Sequence, residues 1–224
     1  MQKHIPNFLT CCNLVCGCLG IIGLMEDWDF RTAYFVWAAC IFDFFDGFAA
    51  RLLKISSPIG KELDSLADVV SFGVLPALFM YEALVLESPF SYLPYVALLI
   101  AVCSAARLAI FNLDETQSDS FKGLPTPANA IFITALPFLN SPVYDLVYSP
   151  VILATICVVF SLLLVSRIEL FALKFKNFTW ADNKIRFTFL VLSVVLLAIL
   201  QWAALPFIIL SYIALSLGVR LIKK

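Results

Sequence analysis

Charge is what this chain has least of. Only 14% of its 224 residues are Asp, Glu, Lys or Arg, against about 25% in an average soluble domain. That excludes a solvated surface over most of the molecule. With 62% apolar residues and a mean hydropathy of +0.97, a membrane protein is the default. The 15 cationic and 16 anionic side chains nearly cancel, so the net charge of −1 gives no basis for binding nucleic acid. Histidine is almost missing: His4, near the N-terminus, is the only one and is read as a surface residue. No zinc-type CxxC pair occurs, and the seven cysteines are odd in number, which speaks against a disulfide framework. All of them (Cys11, Cys12, Cys16, Cys18, Cys40, Cys103 and Cys157) lie in or beside apolar runs and read as small apolar fillers. Internal repeats and low-complexity tracts are also missing, so one integral domain over residues 1–224 is the simplest organisation. The N-terminus lacks the form of a cleavable signal, because its apolar run carries Asn13 and leads straight into further apolar segments.

What the chain does have is a series of apolar segments near the length a bilayer requires. They are expected at about 9–25, 33–53, 63–85, 92–112, 126–142, 149–167, 184–200 and 203–221, the third carrying two aspartates and the fifth broken by Pro137 and Asn140. The expected fold is therefore an all-α integral membrane protein of about eight transmembrane helices. Eight crossings put both termini on one side. Every Lys and Arg except Arg31 then falls on that side, whereas a seven-crossing arrangement would scatter them. The positive-inside rule makes that side cytoplasmic, in a multi-pass protein of the inner cell membrane. The loop 114–122 is acidic and polar, expected to be mobile and near the mouth of the site. The stretch 169–187 mixes Phe, Leu and Trp180 with lysines and reads as an interfacial segment on the cytoplasmic leaflet.

Acidic residues in apolar sequence need a physical reason. Asp43 and Asp46 are three residues apart, Asp64 and Asp68 four apart, so each pair shares a helix face. Gly47 and Ala50 remove bulk beside the first pair, Arg51 closes that helix, and Ser56, Ser57, Pro58 and Gly60 turn the chain so that the two acidic faces meet. Each carboxylate at the centre of a membrane helix costs roughly 2.5–3.5 kcal/mol. Structural ion pairs do not offset four of them, since only Arg51 is well placed. Divalent metal does: hard carboxylate oxygens suit Mg²⁺ or Mn²⁺, with substrate phosphates completing the shell. A cation channel is the rival reading, but the acids crowd one side and no acid, His or Lys continues through the segments. A purely structural scaffold leaves the insertion cost unexplained.

The pattern Asp43-x-x-Asp46-Gly47-x-x-Ala50-Arg51, then Gly60-x-x-x-Asp64-x-x-x-Asp68, resembles the signature of the CDP-alcohol phosphotransferases. Eight chance matches at about one in twenty each would be on the order of 10⁻¹⁰. The continuation ELDSLADVVSFGVLPA, RLAIFNL at 107–113, GLPTPANA at 123–130 and the opening KHIPNFLT resemble the family's serine-using branch, the CDP-diacylglycerol–serine O-phosphatidyltransferases. This similarity touches roughly the first sixty per cent of the chain.

The resemblance implies a six-helix family core, a homodimer, two divalent ions per site, and transfer of the phosphatidyl group from CDP-diacylglycerol to L-serine with release of CMP. It implies that Asp43, Asp46 and Asp64 hold one ion, that Asp43, Asp64 and Asp68 hold the second, and that Asp68 is the general base. Gly47 and Arg51 would serve the CDP diphosphate, glycine by letting the nucleotide approach and Arg51 by its planar fork. Ser57, Ala50, Asn7 and Thr10 are further CDP-lipid candidates, and Gly60 serves the same region as a turn that aims Asp64. For the serine zwitterion, Arg107 is the candidate for the carboxylate, with Asn112 and Ser71 as neighbours. The alternatives keep the chemistry and change the acceptor to glycerol phosphate or inositol phosphate, with Arg107 and Lys122 binding the phosphate, or change the donor to an archaeal ether-lipid CDP compound.

Overall fold

The computed structural model describes residues 4–28, 31–55, 57–114, 120–171 and 179–222. Helix α1 (Ile5–Met25) carries Pro6 in its first turn, where a missing N–H costs nothing. It and α2 (Arg31–Leu53) end alike. Asp27 and Lys54 both adopt φ 54°, and the amide that follows each reaches back five residues, Trp28 N–H to the Gly23 carbonyl (2.8 Å) and Ile55 N–H to the Ala50 carbonyl (3.0 Å). These are Schellman closures made without glycine. The first folds α2 back along α1, so that Gly23 faces Thr32 and Thr10 faces Asp46.

A long helical stretch follows. It consists of α3 (Pro58–Asp68), a wide π-turn over Val69–Val74, and α4 (Leu75–Glu87). The π-turn has a local cause: Pro76 has no amide to give the Phe72 carbonyl, so the ladder slips and Leu75 N–H bonds the Val70 carbonyl instead. A 3₁₀ turn at Leu93–Ala97 leads into α5 (Leu98–Leu113). The fifth expected segment is shorter than its apolar sequence. Helix α6 (Thr126–Thr134) has nine residues, a 3₁₀ turn at Leu136–Phe138 carries Pro137, and short α7 (Val143–Val147) follows. Helix α8 (Pro150–Val165) is 16 residues, about 24 Å long.

Residues 183–218 form one apolar run by composition, yet they fold as two helices, α9 (Trp180–Leu200) and α10 (Ala204–Ile222). The chain reverses at Gln201 (φ 52°, ψ −129°), and the Phe189 and Tyr212 rings lie 5.7 Å apart. On one straight helix they would be separated by about 34 Å. The number of apolar helical segments thus matches the expectation: the protein is an all-α multi-pass membrane protein.

A short antiparallel ribbon was not foreseen. Strand β1 (Ser120–Lys122) pairs with β2 (Glu169–Phe171), Lys122 opposite Glu169. It ties the segment after α5 to the segment after α8. Residues 115–119 of the expected mobile loop and 172–178 of the expected interfacial stretch lie outside the described residues; the rest of that stretch forms β2 and the start of α9.

The larger core joins α4, α5, α6, α8 and α10 around Met80, Leu84, Ile100, Ile133 and Leu153. A smaller one sets Phe72 and Leu75 against Val36, Ala39 and Ala130. Large apolar side chains outside these clusters, such as Leu86, Val151 and Ile199 at 71–78% exposed, form the faces that meet acyl chains.

Candidate active site

Helix α1 is the platform on which the acids are held. Thr10 donates its hydroxyl to Asp46 Oδ2 (2.7 Å), with the Pro6 carbonyl as a longer alternative at 3.1 Å. One turn on, Asn13 Nδ2 donates to Asp68 Oδ1 (3.1 Å), and the Asn13 carbonyl accepts from the Ser71 hydroxyl (3.0 Å) in the π-turn. Thr10, Asn13 and Ser71 are all buried. Gly17 makes this approach possible: a Cβ there would stand 3.0 Å from Ser71 Cα.

With α1 between them, the two acidic faces converge. Asp43, Asp64 and Asp68 present carboxylate oxygens that all lie within 4.8 Å of one another. Asp64 Oδ1 is buried and accepts from no donor among the described residues. Three hard oxygen ligands this close, one of them orphaned, suit a divalent cation. Asp46 stands beside this trio, oriented by Thr10, on the side facing a cleft.

That cleft, about 240 Å³, collects most of the CDP-lipid candidates: Asn7, Thr10, Gly47, Ala50, Ser57 and Gly60 line it, with Asp46 and Asp64 in its wall. Ser57 caps α3, its Oγ accepting from Gly60 N–H (3.3 Å), and Pro58 takes the first helical position. Gly60 is close to Asn7, whose Oδ1 would stand 3.0 Å from a Cβ. Arg51 reaches back over Gly47, one guanidinium nitrogen 3.5 Å from where a Cβ would be. Its fork therefore lies at the edge of the cleft.

The acceptor candidates divide. Arg107 is buried, lies 5.7 Å above the Phe111 ring and is within electrostatic reach of Asp68. It lines a second cavity of about 630 Å³ together with Asp114, Lys122, Arg167 and Glu169. Lys122 and Asp114 pair there at 2.7 Å. Asn112 is engaged elsewhere: its Nδ2 donates to Ser65 Oγ (2.8 Å) and its carbonyl accepts from Lys61 Nζ (2.7 Å), latching α5 to α3. Ser71 is likewise occupied with Asn13.

Two residues were missed by reasoning on the sequence. Asn13 entered the sequence analysis only as a polar residue in the first apolar run. Its spacing of three from Thr10, in an otherwise apolar run, was the available signal. Lys61, in the cleft wall between Gly60 and Asp64, was counted only as a charge on one side of the membrane.

Comparison with known proteins agrees with this geometry. A family model described as CDP-alcohol phosphatidyltransferase matches residues 3–220. The chain is 34% identical over 168 residues to the CDP-diacylglycerol–serine O-phosphatidyltransferase of Bacillus subtilis, covering 75% of this chain and 90% of that protein. It is 32% identical over 165 residues to the protein of that name from Methanocaldococcus jannaschii, covering 74% and 72%. For the Mycobacterium bovis protein so named the figures are 37% over 139 residues, 59% of this chain and 48% of that one, so the match spans about half of the mycobacterial relative. The family signature lies on the residues that build the cluster and the cleft, and the match runs nearly end to end: the chain belongs to the CDP-alcohol phosphatidyltransferase family.

Proposed function

We propose that this enzyme transfers the phosphatidyl group of CDP-diacylglycerol to the hydroxyl of L-serine, giving phosphatidylserine and CMP. The observation that carries the reading is the meeting of Asp43, Asp64 and Asp68 beside a cleft lined by the signature's small residues, with buried Arg107 within electrostatic reach of Asp68. The relatives' names supply the choice of serine.

In this reading Asp43, Asp46 and Asp64 hold one divalent ion, Mg²⁺ or Mn²⁺, and Asp43, Asp64 and Asp68 hold a second. When bound, such ions neutralise the diphosphate and the charge that builds on it during displacement. The chain's own residues do the rest. The cleft between α1, α2 and α3 receives the nucleotide, Gly47 letting it approach the backbone and Arg51 offering paired donors to phosphate oxygen. Thr10 fixes the rotamer of Asp46, and Asn13 fixes that of Asp68, leaving its other oxygen for the acceptor. Asp68 takes the proton of the serine hydroxyl as that oxygen attacks phosphorus. The bond from phosphorus to the CMP oxygen breaks on the opposite side, and CMP leaves beside Arg51. The Arg107 guanidinium binds the serine carboxylate. The site opens to the cytoplasmic side of the inner membrane, a placement supported by the Lys and Arg distribution.

The test is CMP release by purified protein given CDP-diacylglycerol, Mg²⁺ or Mn²⁺, and a panel of alcohols. L-serine is expected to support turnover. Release with glycerol 3-phosphate or inositol phosphate but not with serine would overturn the acceptor assignment.

A further inference from the structure

Among the described residues, buried polar atoms without a hydrogen-bond partner occur outside the carboxylate cluster on Thr32 and Trp37 of α2, and five more such side chains gather on neighbouring helices: Ser104 and Arg107 on α5, Thr126 and Asn129 on α6, and Ser161 on α8. Each of these five is more than nine-tenths buried, and Asn129 has neither its amide oxygen nor its amide nitrogen engaged. Folded proteins leave few such groups, because each forfeits its hydration without replacement.

Backbone contacts and a shared cavity bring the three helices to one place. Leu124 N–H donates to the Leu163 carbonyl (3.0 Å), and Gly123, at φ 76°, sits against the Leu163 and Leu164 carbonyls. The first turn of α6 is therefore pinned to the last turns of α8. Arg107 and Leu164 line the same cavity, which sets the ends of α5 and α8 side by side. Ser104 lies one turn before Arg107 and Ser161 one turn before Leu164, at matching depth. Ser104 packs on Gly73, its Cβ 3.1 Å from where a methyl on Gly73 would be, and Ala130 packs with Phe72. Both neighbours belong to the π-turn that follows Asp68. The orphaned groups thus back onto the base side of the cluster.

Their chemistry is that of a zwitterion's pocket. Arg107 is the one cation among the five. Asn129 Oδ1 and the hydroxyl of Thr126, on one face of α6, offer acceptors without formal charge, which an ammonium needs. Resting on the serine reading above, we infer that Thr126 and Asn129 recognise the α-ammonium of the acceptor while Arg107 takes its carboxylate. They are specificity-determining residues that favour an amino acid over an alcohol lacking the amine. A phosphorylated acceptor would draw on Arg107 with Lys122 and Arg167 of the second cavity, whereas an amide with both ends free bridges the two groups of an amino acid.

The experiment compares L-serine with 3-hydroxypropionate, the same acceptor without its amine, in the wild type and in Thr126→Val, Asn129→Ala and Asn129→Asp. In the first two variants the KM for serine is expected to rise about 10- to 100-fold, the worth of a hydrogen bond to a charged group. The KM for CDP-diacylglycerol should stay unchanged. The preference for serine over 3-hydroxypropionate should shrink by the same factor, and Asn129→Asp should restore it. Equal losses with both acceptors, or no change in either, would overturn the inference by reducing these residues to packing. Should Asn129→Ala not fold, the near-isosteric Thr126→Val and Asn129→Asp carry the same comparison. A wild type that releases no CMP with serine removes the underlying reading. A wild type that does, with variants blind to the amine, removes this inference alone.

Discussion

Asp64 leaves a buried carboxylate oxygen without a protein donor, whereas Asp46 and Asp68 are each held by a side chain of α1. The difference assigns them different sensitivities. Asp64→Asn and Asp43→Asn keep size and shape but remove a hard anionic ligand. Turnover should fall about 1,000-fold, near 4 kcal/mol, and its response to Mg²⁺ or Mn²⁺ should disappear in a metal titration. Asn13→Leu leaves every carboxylate in place but frees Asp68 to rotate. Its effect should be milder, about 10- to 100-fold in kcat, with the KM for CDP-diacylglycerol little changed. Gly47 separates packing from binding. A methyl there meets only the tip of Arg51 at 3.5 Å, an ordinary contact. Gly47→Ala should therefore keep its melting temperature yet raise the KM for CDP-diacylglycerol, and unchanged kinetics would show that nothing approaches this glycine.

At the scale of elements, the seam between α1 and the π-turn decides whether the site assembles. Gly17→Val drives branched bulk into the Ser71 backbone, which stands 3.0 Å from a Cβ. It should cost about 1–3 kcal/mol by overpacking. It should also cost activity beyond that, because the Ser71, Asn13 and Asp68 bonds run across the same seam; thermal unfolding and CMP release measured together would show both. Much of this level was readable in advance. Asp43, Asp46, Asp64 and Asp68 declare themselves because acids at helical spacing in apolar sequence have few bland explanations. Asn13 hides because one amide in a membrane helix has many. The π-turn was hidden as well, since Pro76 in an apolar run announces a disturbance but not its form. The β1–β2 ribbon rests on pairing between residues 120–122 and 169–171, distant in sequence and without an alternating pattern. Residues 126–142 read as one crossing because hydropathy does not feel where Pro137 halts the helix.

For the whole molecule, alternation of helix sense puts the cleft, the ribbon and the second cavity at one end. The turns at 26–28, 88–92 and 201–203 lie at the other. All seven cysteines are free thiols, so they can be replaced and single cysteines placed at will. Cysteines at Asp27 and Ser88 should react with an impermeant maleimide on intact cells. Cysteines at Ile55 and Lys122 should react only after the membrane is opened. Labelling of both sets from outside would remove the eight-crossing arrangement and the cytoplasmic site with it.

The carboxylates and the α1 side chains that restrain them all lie between residues 10 and 71, whereas the orphaned polar groups of α5, α6 and α8 lie between 104 and 161. Among the described residues, the hydrogen bonds that bridge those stretches directly run from Lys61 Nζ to the Asn112 carbonyl and from Asn112 Nδ2 to Ser65 Oγ. On the proposed reading, phosphoryl chemistry and the choice of alcohol draw on different stretches of one gene, on either side of a turn near residue 90. A recombination there would have to keep the core that α4 shares with α5, α6, α8 and α10.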